Sequence, residues 1–185
     1  MAAVHVWTKQ HRHVWEELKT YGRYIVKEEY IRMALEGEAD LMLIPYQWLV
    51  SHSPHYGAKP ADVTYPVWVS FQFSTAMLPD DNEVILELLI DEEMIASVNI
   101  AKWGMILNYS YIPEHEADAS AHQKLLALYG TSDARAVMTP FYPELKQEIM
   151  GSWPRLFDSH IMPGNDLSYG IIWEVKKEWV VDVKQ

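Results

Sequence analysis

The segment from Val63 to Phe73 limits the fold more than any other. Its odd positions are Val63, Tyr65, Val67, Val69, Phe71 and Phe73, while the even ones are Thr64, Pro66, Trp68, Ser70 and Gln72. Alternation of period two predicts a strand with one face on a core and the other polar, here carrying a single large aromatic, Trp68. A second strand is predicted over Glu83 to Ile90. Its centre is apolar except for Glu87, so it belongs inside a sheet.

The remaining elements are read from spacing and punctuation. His5-Val6-Trp7 reads as a first strand, and Val14, Trp15, Leu18 and Tyr21 recur at helical intervals before Gly22 ends the helix. Short helices are predicted over Glu28 to Glu36 and Ile44 to Val50, the latter opened by Pro45, where a missing N–H is harmless. Asn99 to Asn108, Ala117 to Tyr129 and Pro143 to Phe157 read as helices, and Gly170 to Val175 and Trp179 to Val181 as closing strands. Strands interrupted by helices without a regular βαβ repeat predict an α+β fold. We expect a single domain over residues 1–185, with a mixed, mostly antiparallel sheet and helices packed around it.

Composition removes whole classes of function. The chain has no Cys, which excludes disulfides, a zinc ribbon, a thiol nucleophile and an iron–sulfur site. A formal charge of −11 argues against a partner recognised by its phosphate backbone, so no nucleic acid is expected. The longest uncharged run, Leu41 to Ala58, contains Pro45, Gln47, Ser51, His52, Ser53, Pro54 and His55 and is too polar for a bilayer. No membrane partner is expected, and the absence of a basic and apolar start predicts a cytoplasmic protein. A glycine-rich phosphate loop, a dinucleotide fingerprint and a nucleophile elbow are absent. His11 and His13 form an H-x-H whose imidazoles diverge on a helix and share a face on a strand, while His52 and His55 flank Pro54 in an expected loop without a carboxylate in the uncharged segment, so no metal site is assigned.

Eight tryptophans and several amides remain as candidates. Trp7, Thr8, Gln10, Trp68, Gln72, Trp103, Asn108, Trp153 and Asp158 form a candidate ligand-binding set, since indoles stack on planar rings and amides offer paired donors and acceptors. The competing reading is that these tryptophans pack helices onto the sheet. Glu87 and Glu174, lone acids in apolar runs, are candidate catalytic carboxylates if they point inward.

At Trp7-Thr8-Lys9-Gln10, Tyr46-Gln47-Trp48-Leu49-Val50, Tyr65-Pro66-Val67-Trp68, Glu87, Trp103 with Leu107-Asn108, Trp153 with Phe157-Asp158, and Trp173-Glu174, the chain resembles the bacterial family catalogued as domain of unknown function 3841. The resemblance implies no established activity. The family tends to carry Ser-Asp where this chain has Val98-Asn99, His at Gly104 and Gln at Tyr169. The strand, helix and Gly22 of the N-terminus are also similar at fold level to the opening of ADP-ribosyltransferase-type domains. That likeness implies NAD as cofactor, a nicotinamide held near Trp7, Thr8 and Trp68, and Glu174 orienting the ribose. Three functions are therefore expected in order: binding of a planar, nucleotide-like small molecule in an aromatic cleft walled by Trp7, Trp68 and Trp103; an NAD-dependent ADP-ribosyltransferase-like enzyme; and a protein-interaction module using exposed Trp and the acidic stretch Asp80 to Glu93.

Overall fold

A computed structural model describes residues 2–29, 32, 39–76 and 78–185. The chain is α+β, with a mostly antiparallel sheet. It divides into two compact units, residues 1–97 with 168–185, and residues 98–167.

The first unit is built on strand β1 (Ala3–His11), which runs the length of β4 (Glu83–Asp91) in an antiparallel pair from Ala3↔Asp91 to His11↔Glu83. On its other side β1 pairs antiparallel with β3 (Val67–Ser70), with Trp7 opposite Ser70. Adding β5 (Ala96–Asn99), β6 (Ser168–Ile172) and β8 (Val180–Lys184) gives the order β5-β6-β3-β1-β4-β8. A separate two-stranded ladder joins β2 (Arg23–Tyr24) to β7 (Val175–Lys176).

One sheet face presents Val6, Val67, Val69, Leu86, Leu88 and Ile172 to Val14 and Leu18 of helix α1 (Arg12–Tyr21), all of them buried. The α1 spacing predicted from sequence is the reason: Val14 and Leu18 lie four residues apart on one face. Gly22 ends the helix at φ +76°, a left-handed position that suits glycine. The opposite face carries Trp7, Trp68, Ile85, Glu87 and Ile171, because their neighbours in sequence point into the first core. Helix α2 (Ala39–His52) brings Tyr46 against Trp68 and edge-on to Tyr65, with ring centroids 6.2 Å apart.

Residues 98–167 hold α3 (Ile100–Leu107), α4 (Glu116–Tyr129), α5 (Asp133–Met138) and α6 (Pro143–Ser152). Asn99 caps α3, its side-chain oxygen accepting from the Lys102 N–H at 3.0 Å. Trp153 is fully buried among these helices, with Leu145, Ile149 and Ile112 likewise out of solvent.

Three sequence expectations are corrected. The strand expected over Val63 to Phe73 is regular only at Val67–Ser70, and Phe73–Thr75 is a 3₁₀ turn. The Ser70 hydroxyl donates to the Gln72 carbonyl at 2.7 Å and accepts from the Gln72 N–H at 3.2 Å, which turns the backbone out of the ladder. Pro45 lies inside α2 instead of opening it, so the helix forms without one of its backbone bonds. The helix expected over Pro143 to Phe157 stops at Ser152 and continues as a 3₁₀ segment, Trp153–Phe157, where Pro154 cannot donate. The helix expected over Glu28 to Glu36 lies largely outside the described residues.

Candidate functional site

Trp7 and Thr8 are adjacent in sequence but serve opposite faces of the sheet. Thr8 is buried, and its hydroxyl donates to the Trp68 carbonyl at 2.8 Å while accepting from the Gln10 amide at 2.7 Å. Thr8 and Gln10 thereby tie β1 to β3 and do not share a surface with the Trp7 ring. Gln72 is exposed in the turn that follows β3.

Trp7 is half-buried. Its ring stacks near His5 (centroids 6.4 Å, planes 28° apart) and meets Phe73 edge-on at 6.4 Å. The indole nitrogen is out of solvent and has no hydrogen-bond acceptor among the described residues. Glu87 lies directly across from Trp7 on β4 and accepts from or shares a proton with His5 Nδ1 at 2.7 Å. The Lys184 ammonium stands 3.6 Å from Glu87 and 4.4 Å from the centre of the Phe73 ring. Glu87 therefore points away from the core, where ion partners answer its charge. Trp68 is half-buried on the same face under Tyr46, whose phenol is pushed up by burial.

Glu174 sits in the bend between β6 and β7. It binds the Arg23 guanidinium, which also pairs with Asp62, and lies 3.5 Å from Lys176. Hydrogen bonds that Arg23 donates to Asp62 and then to Glu174 hold it firmly charged. Beside this bend, Trp173 donates its N–H to the His55 carbonyl at 2.9 Å and lines a cavity of about 120 Å³ with Trp179, Ile90, Met94, Glu93 and Glu174.

In residues 98–167 the candidates have structural partners. Trp103 is buried, and Trp153 donates to the Ser110 carbonyl at 3.0 Å. Asp158 accepts from the His160 N–H at 2.9 Å in a turn. Asn108 caps α3 and borders an open groove with Gln123, Thr131 and Asp133.

Sequence reading missed two polar clusters in this unit. His122, buried, places Nε2 2.6 Å from Asp133 and Nδ1 2.9 Å from Glu148, and its ring stacks on Tyr111 at 4.1 Å. Lys102, the lone charge between Ser97 and Pro113, is buried and donates to the carbonyls of Arg155 (2.9 Å) and Asp158 (2.7 Å). Burial pulls its ammonium below the usual lysine range. Its isolation in an apolar helix was the available signal. His122 offered none, since its carboxylates arrive from α5 and α6.

The histidine pairs make contacts within or near their own elements. His11 caps α1 and its Nδ1 meets that of His13 at 2.6 Å, while His52 stacks on Trp48 at 4.5 Å. Among the described residues, no group of three or more His, Asp or Glu is arranged to hold a metal ion. No helix among them is long and apolar enough to cross a membrane.

A family model described as a domain of unknown function (DUF3841) matches residues 5–181 of the 185-residue chain. The chain belongs to the DUF3841 family. No curated protein and no solved structure gives a significant match. The cap that Asn99 provides to α3 is one an Asp would also provide, and a side chain at Gly104 would extend into open space.

Proposed function

We propose that this DUF3841 chain binds a small planar molecule over Trp7, on the sheet face that also carries Phe73, His5 and Glu87. The supporting observation is the Trp7 indole N–H, withdrawn from water on a half-exposed ring and without an acceptor among the described residues. An unmade donor of this kind costs about 1–3 kcal/mol, which a ligand acceptor recovers when the side chains around the ring shift to let it reach the nitrogen. A nucleobase or nicotinamide fits the chemistry: it has a ring carbonyl or nitrogen to accept from the indole and a face to lie against the aromatic edges. The ADP-ribosyltransferase reading gains less support, because Arg23 and Lys176 already engage the carboxylate it needs at Glu174.

Intrinsic tryptophan fluorescence titrated with nucleosides, nucleotides and NAD tests this reading. The expected result is a saturable change lost in Trp7→Phe and weakened in Trp68→Ala. Absence of a ligand-dependent change in the unaltered protein refutes it.

A further inference from the structure

The cavity beside the β6–β7 bend lies on the other side of the sheet from Trp7. Ile90 pairs with Val4, and Ile172 with Val67, so both follow the alternation that points away from Trp7. These two isoleucines are almost fully buried and form the inner end, whereas Glu93 is exposed and marks the mouth. The volume, about 120 Å³, compares with the roughly 150 Å³ of an apolar cavity able to take up benzene.

Trp173 and Trp179 give this space two indoles, and its polar lining is Glu93, Glu174 and His55. An indole face attracts a cation through its quadrupole, most strongly where water is excluded. The chain uses this chemistry on itself. The Lys176 ammonium rests 5.3 Å from the centre of the Trp179 ring and 3.5 Å from Glu174. Arg23 and Lys176 answer the charge of Glu174, while Glu93 has no ion-pair partner among the described residues. A primary ammonium, strongly hydrated, gains little from a lining of Ile90, Ile172 and Met94. Methyl groups on the nitrogen remove that hydration cost and contact the apolar lining directly.

We propose that this cavity takes a small alkylated ammonium group, with Trp173 and Trp179 against its methyls and Glu93 as its counter-charge. The site is independent of the one over Trp7, and either can fail without the other. The excess of acid over base in the chain adds a long-range attraction for such a cation.

The test is a titration of the ¹⁵N–¹H indole signals with tetramethylammonium chloride, against sodium chloride at equal ionic strength. Choline is then compared with its uncharged isostere 3,3-dimethyl-1-butanol. Saturable shifts confined to Trp173 and Trp179 are expected, roughly tenfold weaker binding in Trp179→Leu, and about threefold or more in Glu93→Gln. Glu93 is exposed, so the second variant keeps the fold even if the first does not. The proposal is overturned if neither indole responds, if the neutral isostere binds as well as choline, or if Glu93→Gln leaves affinity unchanged.

Discussion

Replacing Trp7 with β-(3-benzothienyl)alanine isolates the single atom on which the ligand reading depends. Sulfur then stands where the indole N–H was, while ring size and the contacts to His5 and Phe73 are kept. Burial of apolar area is nearly unchanged, so the area contribution cancels between the two proteins. What differs is the N–H, which is withdrawn from solvent and makes no hydrogen bond among the described residues. Removing a donor that was desolvated without compensation relieves about 1–3 kcal/mol. Allowing for partial relaxation, the expected gain is about 1–2 kcal/mol, which raises Tm by roughly 2–8 °C in a chain of this size. Urea unfolding followed by circular dichroism measures it without using the fluorescence of the altered ring. The same replacement is expected to weaken binding of a planar ligand, so stability and affinity move in opposite directions, as they do where a site is held ready at a cost to the fold. A variant no more stable than the parent refutes the reasoning, because the indole would then already be satisfied.

Gly170→Ala, whose Cβ would come 2.4 Å from Ile95 Cγ2 and 2.7 Å from Val69 Cγ2, is expected to lose about 1–3 kcal/mol in chemical denaturation. That crowding exceeds the roughly 0.4–1 kcal/mol that stiffening the unfolded chain contributes, and a stabilised variant would reverse the inference. Asp118 is held below the usual carboxylate range, chiefly by the backbone N–H of Glu114 and then by Tyr111 and Arg155. Its stabilising contribution is therefore complete above pH 3.8 and is lost as pH falls through the lower folded value. Acid unfolding curves should consequently be shallower below that pH in Asp118→Asn, and curves of equal slope would remove Asp118 from the acid response.

What could be read from the sequence was what period and punctuation encode. The apolar run of β4, the capped interval from Asn99 to Asn108, and the stop at Gly22 all carry their instruction within a few residues. The end of β3 is also local, but it is written in hydroxyls: Ser70 and Thr75 both donate to the Gln72 carbonyl, and this turn overrides an alternation that continues to Phe73. For the site, composition picked out the residue types but not their directions. Trp7 and Thr8 enter one candidate set by side-chain chemistry, whereas a strand points such neighbours to opposite faces. Glu87 was readable only as a pair of alternatives, inward or outward, and the choice is made by His5 and Lys184, which come from other strands. The network of His122, Asp133 and Glu148 depends on three helices meeting, which no short pattern announces.

The two ends of the unit spanning residues 98–167 are stitched side by side. The Ile100 N–H donates to the Leu167 carbonyl at 2.9 Å, and the Asn99 amide to the Asn165 carbonyl at 3.0 Å. Strands β5 and β6, neighbours in the sheet, are thus the two mouths of one long excursion of the chain. While that excursion is folded, its ends hold the sheet's two strands within reach of each other. Once it melts, bringing them together means closing a floppy loop, at a cost on the order of 4 kcal/mol from (3/2)RT ln n for a tether of this length. The folding of the strands is therefore linked to that of the helices by connectivity alone, and a lesion deep in the helical segment can loosen one edge of the sheet.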